Sequence, residues 1–288
     1  MIQAKHVRID GRLSDFTLTV EKGRAAALLG GAGAGKTAAM DVLSGAAEAD
    51  GGETGGEKCP CMTQKSSLFE DMTLRANLKF ACDLEGLGHA QADERIRELA
   101  RDLGFEEYLD KSSRVLSQSV SRRAALAMAL ICGGENLLLD EPTAGLDSGD
   151  ALRLRRVIAS LKADRAILIA TRSVTEAERL ADVIYIMKDG RIAARCESGQ
   201  LDKMAQDAHT VRARLLCTEA EAKDAGAERV EAAFEGVWAY FPCDDPAALL
   251  PRLLQKGVRV AEFGPAPLDV EDIVCGLEAD AYSGEAEA

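Results

Sequence analysis

One short segment constrains this chain more than any other: Gly30-Gly-Ala-Gly-Ala-Gly35-Lys36-Thr37. It follows the apolar run at 25–29 and leads into helical spacing at 40–43. The order Gly, four residues, Gly, Lys, Ser/Thr is the P-loop pattern, which requires a strand before it and a helix after it. Glycines let successive backbone N–H groups turn onto phosphate oxygens with no Cβ in the way. The helix start adds its positive end. The expected phosphate cradle is therefore Gly30, Gly31, Ala32, Gly33, Ala34, Gly35, Lys36, Thr37 and Ala38. Lys36 is placed to reach the β- and γ-phosphates of a nucleotide, and the Thr37 hydroxyl to ligate Mg²⁺.

A second feature stands about a hundred residues on. Leu137-Leu-Leu-Asp140-Glu141 reads as an apolar strand ending in two carboxylates. An acidic pair at a strand end is ordinarily a solvated turn. Coupled to a P-loop, it gains a role: Asp140 holds Mg²⁺ through its water shell. Glu141 orients or deprotonates an attacking water.

The rest of the pattern suits such a fold. The runs at 25–29, 137–139, 166–170 and 183–187 are continuous and apolar, as in strands covered on both faces. Helical spacing at 40–43, 153–161 and 175–181 lies between them, giving the βα alternation of a parallel sheet. Residues 16–20 alternate, as in an antiparallel strand, with Phe16 facing the core. Lys188-Asp189-Gly190-Arg191 reads as a tight hairpin. Residues 72–132 predict a helical insert, with helices over 73–87, 91–103 and 117–132. From about 205 a second unit is expected, with strands at 211–216, 230–241 and 258–263 and helices at 246–256 and 268–277. The small acidic tail from Ala279 is expected to be disordered.

Charge narrows the partners. The formal net charge is −13, and residues 201–288 hold 8 Lys+Arg against 18 Asp+Glu. That balance argues against a nucleic-acid backbone and against direct docking on anionic lipid. The longest uncharged apolar run, 124–132, is too short to span a membrane. No signal-peptide core follows Met1. A cytoplasmic chain is expected, reaching the inner face of the membrane only through a partner. The 8 cysteines lack a framework spacing and read as reduced thiols. Cys59-Pro-Cys61 is a plain strand or loop pair in this reading, since the nearest histidine is His89.

These residues carry a family resemblance. Leu138-Leu-Asp-Glu-Pro-Thr-Ala-Gly-Leu-Asp147 resembles the Walker B strand, catalytic Glu and D-loop of ABC ATPases. Gln64, with Ser67-Leu-Phe-Glu-Asp-Met-Thr73, is similar to their Q-loop, and the helical insert falls where they carry a helical subdomain. The resemblance implies a P-loop NTPase of the ABC type, an α/β fold with a helical insert and a small α/β C-terminal domain. The implied limits are 1–204, 205–278 and a tail at 279–288. It implies a head-to-tail dimer with ATP between P-loop and facing signature loop. Gln64 joins Thr37 and Asp140 on Mg²⁺ and links the site to a membrane-spanning subunit. Asp147 crosses the interface. Residues 252–260 and 267–274 resemble the C-terminal domain of multidrug and antibiotic exporter ATPases, which implies export.

Three positions depart from the family. The signature loop, usually Leu-Ser-Gly-Gly-Gln, reads Leu116-Ser117-Gln118-Ser119-Val120. The switch histidine is replaced by Arg172. The stretch 7–11, where the family stacks adenine, has no aromatic. The expectation is a transporter subunit that hydrolyses ATP with a second ATPase chain, in a homodimer or a mixed dimer. Two alternatives stand beside it: a subunit that binds ATP with little turnover, and a soluble ABC ATPase with no transport role.

Overall fold

The computed structural model describes residues 1–55, 59–64, 68–201, 210–243 and 245–265. Ser67, the helix expected over 268–277, the motif at 267–274 and the tail from 279 lie outside them. The chain divides into two compact units, Met1–Gly199 and Gln200–Ala288.

The first unit opens with β1 (Ile2–Ile9) and β2 (Leu13–Val20), an antiparallel pair in register from Ile2 opposite Val20. Phe16 is buried there, in the core. Next come β3 (Ala25–Leu29), α1 (Lys36–Ser44), β4 (Gly51–Gly55) and β5 (Cys61–Met62). The insert supplies α2 (Leu74–Leu84), α3 (His89–Leu103) and α4 (Gln118–Ile131). Then follow β6 (Asn136–Asp140), α5 (Ser148–Leu161), β7 (Ala166–Thr171), α6 (Val174–Leu180), β8 (Val183–Lys188) and β9 (Arg191–Glu197). Among the described residues they form one nine-stranded sheet, ordered β4-β1-β2-β9-β8-β3-β7-β6-β5. β3, β5, β6, β7 and β8 run parallel in it.

Every residue of β3, β6 and β7 is buried. Side chains alternate between two layers, as the pleat demands. Leu137, Leu139, Ile167 and Ile169 pack against α5 and the helical insert. Leu138, Leu168, Ala26 and Leu28 pack against α1 and the β1–β2 pair. Two hydroxyls set the insert's helix starts: Thr73 Oγ1 accepts from Ala76 N–H at 3.1 Å, and Ser117 Oγ from Val120 N–H at 3.3 Å. The β8–β9 turn holds Asp189 and Gly190 at φ 47° and 75°, the left-handed pair a two-residue hairpin needs.

The second unit is a four-stranded antiparallel sheet, β11-β12-β10-β13. It comprises β10 (Thr210–Leu215), α7 (Glu219–Asp224), β11 (Arg229–Ala232), β12 (Val237–Pro242), α8 (Pro246–Gln255) and β13 (Val260–Pro265). The single strand expected over 230–241 is two, because a turn ending at Gly236 (φ 79°) folds it back on itself. A Cβ at Gly236 would lie 2.0 Å from the Leu215 carbonyl oxygen. Hydrophobic periodicity gives no sign of α7, whose Thr218–Glu221 capping box is nonetheless written in the sequence. One sheet face buries Val211, Ala213, Ala239 and Phe241 against the helices. On the other, the Arg212 guanidinium lies 3.9 Å from the Trp238 ring.

Candidate nucleotide site

The parallel register brings the motif residues together. Leu29 pairs with Thr171, and Asp140 with Ala170, so β3, β6 and β7 end side by side. The P-loop leaves β3, the Asp140–Glu141 pair leaves β6, and Arg172 leaves β7. Crevices at the carboxyl ends of parallel strands are where open α/β folds bind ligands.

The loop geometry explains its glycines. Gly35 is the left-handed N-cap of α1 at φ 101°, and Gly33 has φ 81°. A Cβ at Gly35 would sit 2.9 Å from the Arg12 carbonyl oxygen. One at Gly30 would sit 2.6 Å from the Met187 carbonyl oxygen. Around Gly33 there is open space. Lys36, buried, folds back over the loop and donates to the carbonyls of Gly30 at 2.5 Å and Gly31 at 2.9 Å. Ala34 and Ala38 have their methyls in the core, which leaves only their backbone for a phosphate. Ala32 and Thr37 are exposed, and the Thr37 hydroxyl makes no hydrogen bond among the described residues.

Asp140 and Glu141 are both buried. Burial first, then the neighbouring Glu141 charge, pushes the Asp140 carboxyl above the usual carboxylate range, while Lys36 and Arg122 pull it back. Glu141 stands at φ 48°, an uncommon backbone state for a residue with a side chain. Its N–H is tied to the Ala170 carbonyl at 2.8 Å. Its Oε1 accepts from Arg172 Nε at 3.2 Å, and Thr171 Oγ1 stands 3.5 Å from its Oε2. Arg172 therefore pairs with the carboxylate that borders the site.

The raised Asp140 carboxyl gives a stability prediction. The folded chain holds this proton more tightly than the unfolded chain does. Stability from this group is therefore highest at low pH and falls as pH rises from the unfolded pKa through the folded one. Asp140→Asn removes that penalty. It is expected to raise the melting temperature of the nucleotide-free protein at pH 7, while erasing the further rise produced by Mg·ATP. Thermal melts with and without Mg·ATP check both signs.

Gln64, two positions past β5, is exposed and makes no hydrogen bond among the described residues. Asp147 caps α5, accepting from Asp150 N–H at 2.9 Å. Ser117, Gln118, Ser119 and Val120 start α4, and the Gln118 side chain reaches the D-loop, donating to the Ala144 carbonyl at 3.2 Å. It fills the space a Cβ at Gly145 would need, 2.3 Å away. The Ser119 hydroxyl is buried without a hydrogen-bond partner among the described residues. Beside Gly33 lies a cleft of about 770 Å³ walled by Arg8, Ile9, Asp10, Arg12, Asp50 and Asp189, with no aromatic in it. Cys61 pairs with Leu138 on the sheet; burial, then Asp140, raises its thiol to about 12.

Two buried residues escape a reading of the sequence. Arg122 of α4 is buried near Asp140, Glu141 and Glu176, and donates to the Thr63 carbonyl at 3.2 Å. Burial lowers its pKa, and the three carboxylates oppose that. Glu176 of α6 is 1% exposed and accepts from Thr171 Oγ1 at 2.6 Å and from Thr143 Oγ1. An Arg in a helix and a Glu four residues past Arg172 look like ordinary surface residues in sequence. Only the fold reveals their burial.

This donor set fits a magnesium nucleotide. The cradle excludes Cβ atoms at Gly30 and Gly35, a lysine spans its mouth, and an exposed hydroxyl and a buried carboxylate flank it. The family model described as "ABC transporter" matches residues 13–144. The chain is similar to ABC ATP-binding proteins. It is 32% identical over 193 residues to "ATP-binding cassette sub-family A member 17" of Rattus norvegicus, covering 62% of the chain but 11% of that protein. It thus spans about a tenth of the length of that relative. It is 29% identical over 276 residues to the "Daunorubicin/doxorubicin resistance ATP-binding protein DrrA" of Streptomyces peucetius, covering 90% of the chain and 82% of that protein. A solved dimeric ATP-binding cassette in a post-hydrolysis state, bound to ADP and Pi, superposes with a TM-score of 0.63 at 18% identity, covering 68% of this chain and 98% of that one. That likeness fixes the fold.

Proposed function

We propose that this chain is the ATP-binding and ATP-hydrolysing subunit of an exporter, acting with a separate membrane-spanning subunit and a second ATPase chain. The observation that carries the reading is the buried Asp140–Glu141 pair at the end of β6, level with the P-loop after β3. The near full-length likeness to a drug-resistance ATP-binding protein favours export. Among the described residues no helix is long and apolar enough to cross a membrane, so the membrane-spanning part of this proposal lies outside them.

In this reading the backbone of 30–38 and Lys36 bind the phosphates. Thr37, Gln64 and Asp140 would hold Mg²⁺, which would supply charge neutralisation on the phosphate oxygens. Glu141 accepts the proton of the water that attacks the terminal phosphorus in line, the opposite P–O bond breaks with its electron pair leaving on ADP, and Arg172 holds the Glu141 carboxylate in place. Asp147 and the turn before it face the second chain. A tagged chain recovered from solubilised membranes together with a polytopic protein supports the proposal. Recovery solely from the soluble fraction, with no such partner, sinks it.

A specific contact favours a variant of this reading, in which hydrolysis is unequal between the two sites of a mixed dimer. Gln118 occupies the start of α4, where the family's glycines let backbone N–H groups approach a phosphate. Its side chain is engaged with the chain's own D-loop instead. Gln118→Gly with Ser119→Gly is expected to raise the ATPase rate of the mixed dimer about tenfold, the effect of freeing one or two charge-directed hydrogen bonds. An unchanged steady-state rate would place the altered loop outside the rate-determining arrangement. A dimer that stays below this rate but binds ATP normally favours the reading with little turnover.

A further inference from the structure

We propose that Glu176 is a positioning residue that holds the switch strand end and the D-loop at a fixed spacing around Glu141, an inference that rests on the ATPase reading above. Its two carboxylate oxygens divide between two loops. Oε2 accepts from Thr171 Oγ1 at 2.6 Å, at the end of β7 beside Arg172. Oε1 accepts from Thr143 Oγ1, two residues past Glu141 and four before Asp147.

The Thr171 hydroxyl has one proton and two carboxylates within reach. Glu176 at 2.6 Å takes it in preference to Glu141 at 3.5 Å. Glu141 therefore keeps both oxygens as acceptors, one of them facing Arg172 at 3.2 Å. Glu176 is also anchored at its own backbone, where its N–H donates to Ser173 Oγ at 3.2 Å. At 1% exposure it cannot touch a nucleotide. The cationic side is supplied by Arg155, whose Nη2 is 3.5 Å from Thr143 Oγ1, and by Arg122. Arg155 Nε is buried without a hydrogen-bond partner among the described residues, so the pocket around Thr143 holds spare donor capacity. A buried carboxylate satisfied by two loops transmits the position of one to the other, because neither hydroxyl can leave without stranding it.

The test is Glu176→Gln, with Thr143→Val as a milder cut of the same link. Misplacing reacting groups by a fraction of an ångström lowers kcat without weakening binding. Glu176→Gln is expected to lower kcat about 10- to 100-fold while the KM for ATP stays within about twofold. In the ATP-bound protein, amide hydrogen exchange at residues 144–146 is expected to accelerate about tenfold in both variants, with the β7 amides unchanged. Unaltered kcat and exchange overturn the proposal. So does a loss of kcat matched by equal losses of ATP affinity and melting temperature, the pattern of a merely structural residue. If the wild-type chain and its Glu141→Gln variant share one background rate, the hydrolysis reading is what fails, and hydrogen exchange alone then decides the role of Glu176.

Discussion

Replacing Glu141 with Gln is expected to slow ATP turnover by about 10²–10³-fold, roughly 3–4 kcal/mol of barrier, while Mg·ATP binds as tightly as before or tighter. The side chain is isosteric, so the packing around this buried position is kept. What is lost is the ion pair with Arg172 and, in the proposed function, the acceptor for the water's proton. That pair is half open to solvent on the arginine side, so its rupture leaves stability nearly unchanged. Single-turnover hydrolysis alongside a fluorescence binding titration separates the two effects. A variant that hydrolyses at the wild-type rate would show that the water is handled elsewhere.

The second large effect belongs to Lys36. Lys36→Ala is expected to weaken ATP binding about a hundredfold, near ~2.8 kcal/mol, from the loss of charge-assisted hydrogen bonds to phosphate. The ammonium also donates to the Gly30 and Gly31 carbonyls, so the same change frees both. The loop is expected to lose order as well, and amide exchange at residues 30–35 should rise even without nucleotide. Isothermal titration with ATP measures the first effect and hydrogen exchange the second. Unaltered affinity would mean the lysine points away from the phosphates when nucleotide is bound.

The P-loop part of the candidate site is legible in sequence because its pattern is local. Residues 30–37 are consecutive, and their glycines, lysine and threonine act within one turn of chain. The strand over 136–140 is legible for another reason: an unbroken apolar run stopping at two acids has few structural uses. Glu176 and Arg122 are not legible. Their meaning depends on neighbours 33 and 59 residues away, Thr143 and Thr63. The Gln118 contact shows the same limit. The loss of two glycines can be read directly, but not the choice of the Ala144 carbonyl as the side chain's partner. In the C-terminal unit a period-2 pattern over 230–241 hides a hairpin. Alternation survives a tight turn, and the lone sign of the fold-back within that stretch is Gly236, which takes the positive φ that closes it.

The glycine contacts around the P-loop separate two parts of the site by what each is answerable to. Gly30 and Gly35 press against the backbone of Met187 and Arg12, on other strands and turns of the sheet. A side chain at either position would disturb the joint between the loop and its neighbours before it disturbed a ligand. The cradle is thus held in place by the requirement to fold at all. Arg172 and Gln118 sit at solvent-facing ends of elements and, in the proposed function, answer to the reaction and the facing chain rather than to the core. Mutation can reach them without unfolding the protein. A lineage of such chains can therefore retune or silence turnover repeatedly while the capacity to hold nucleotide persists as a by-product of folding.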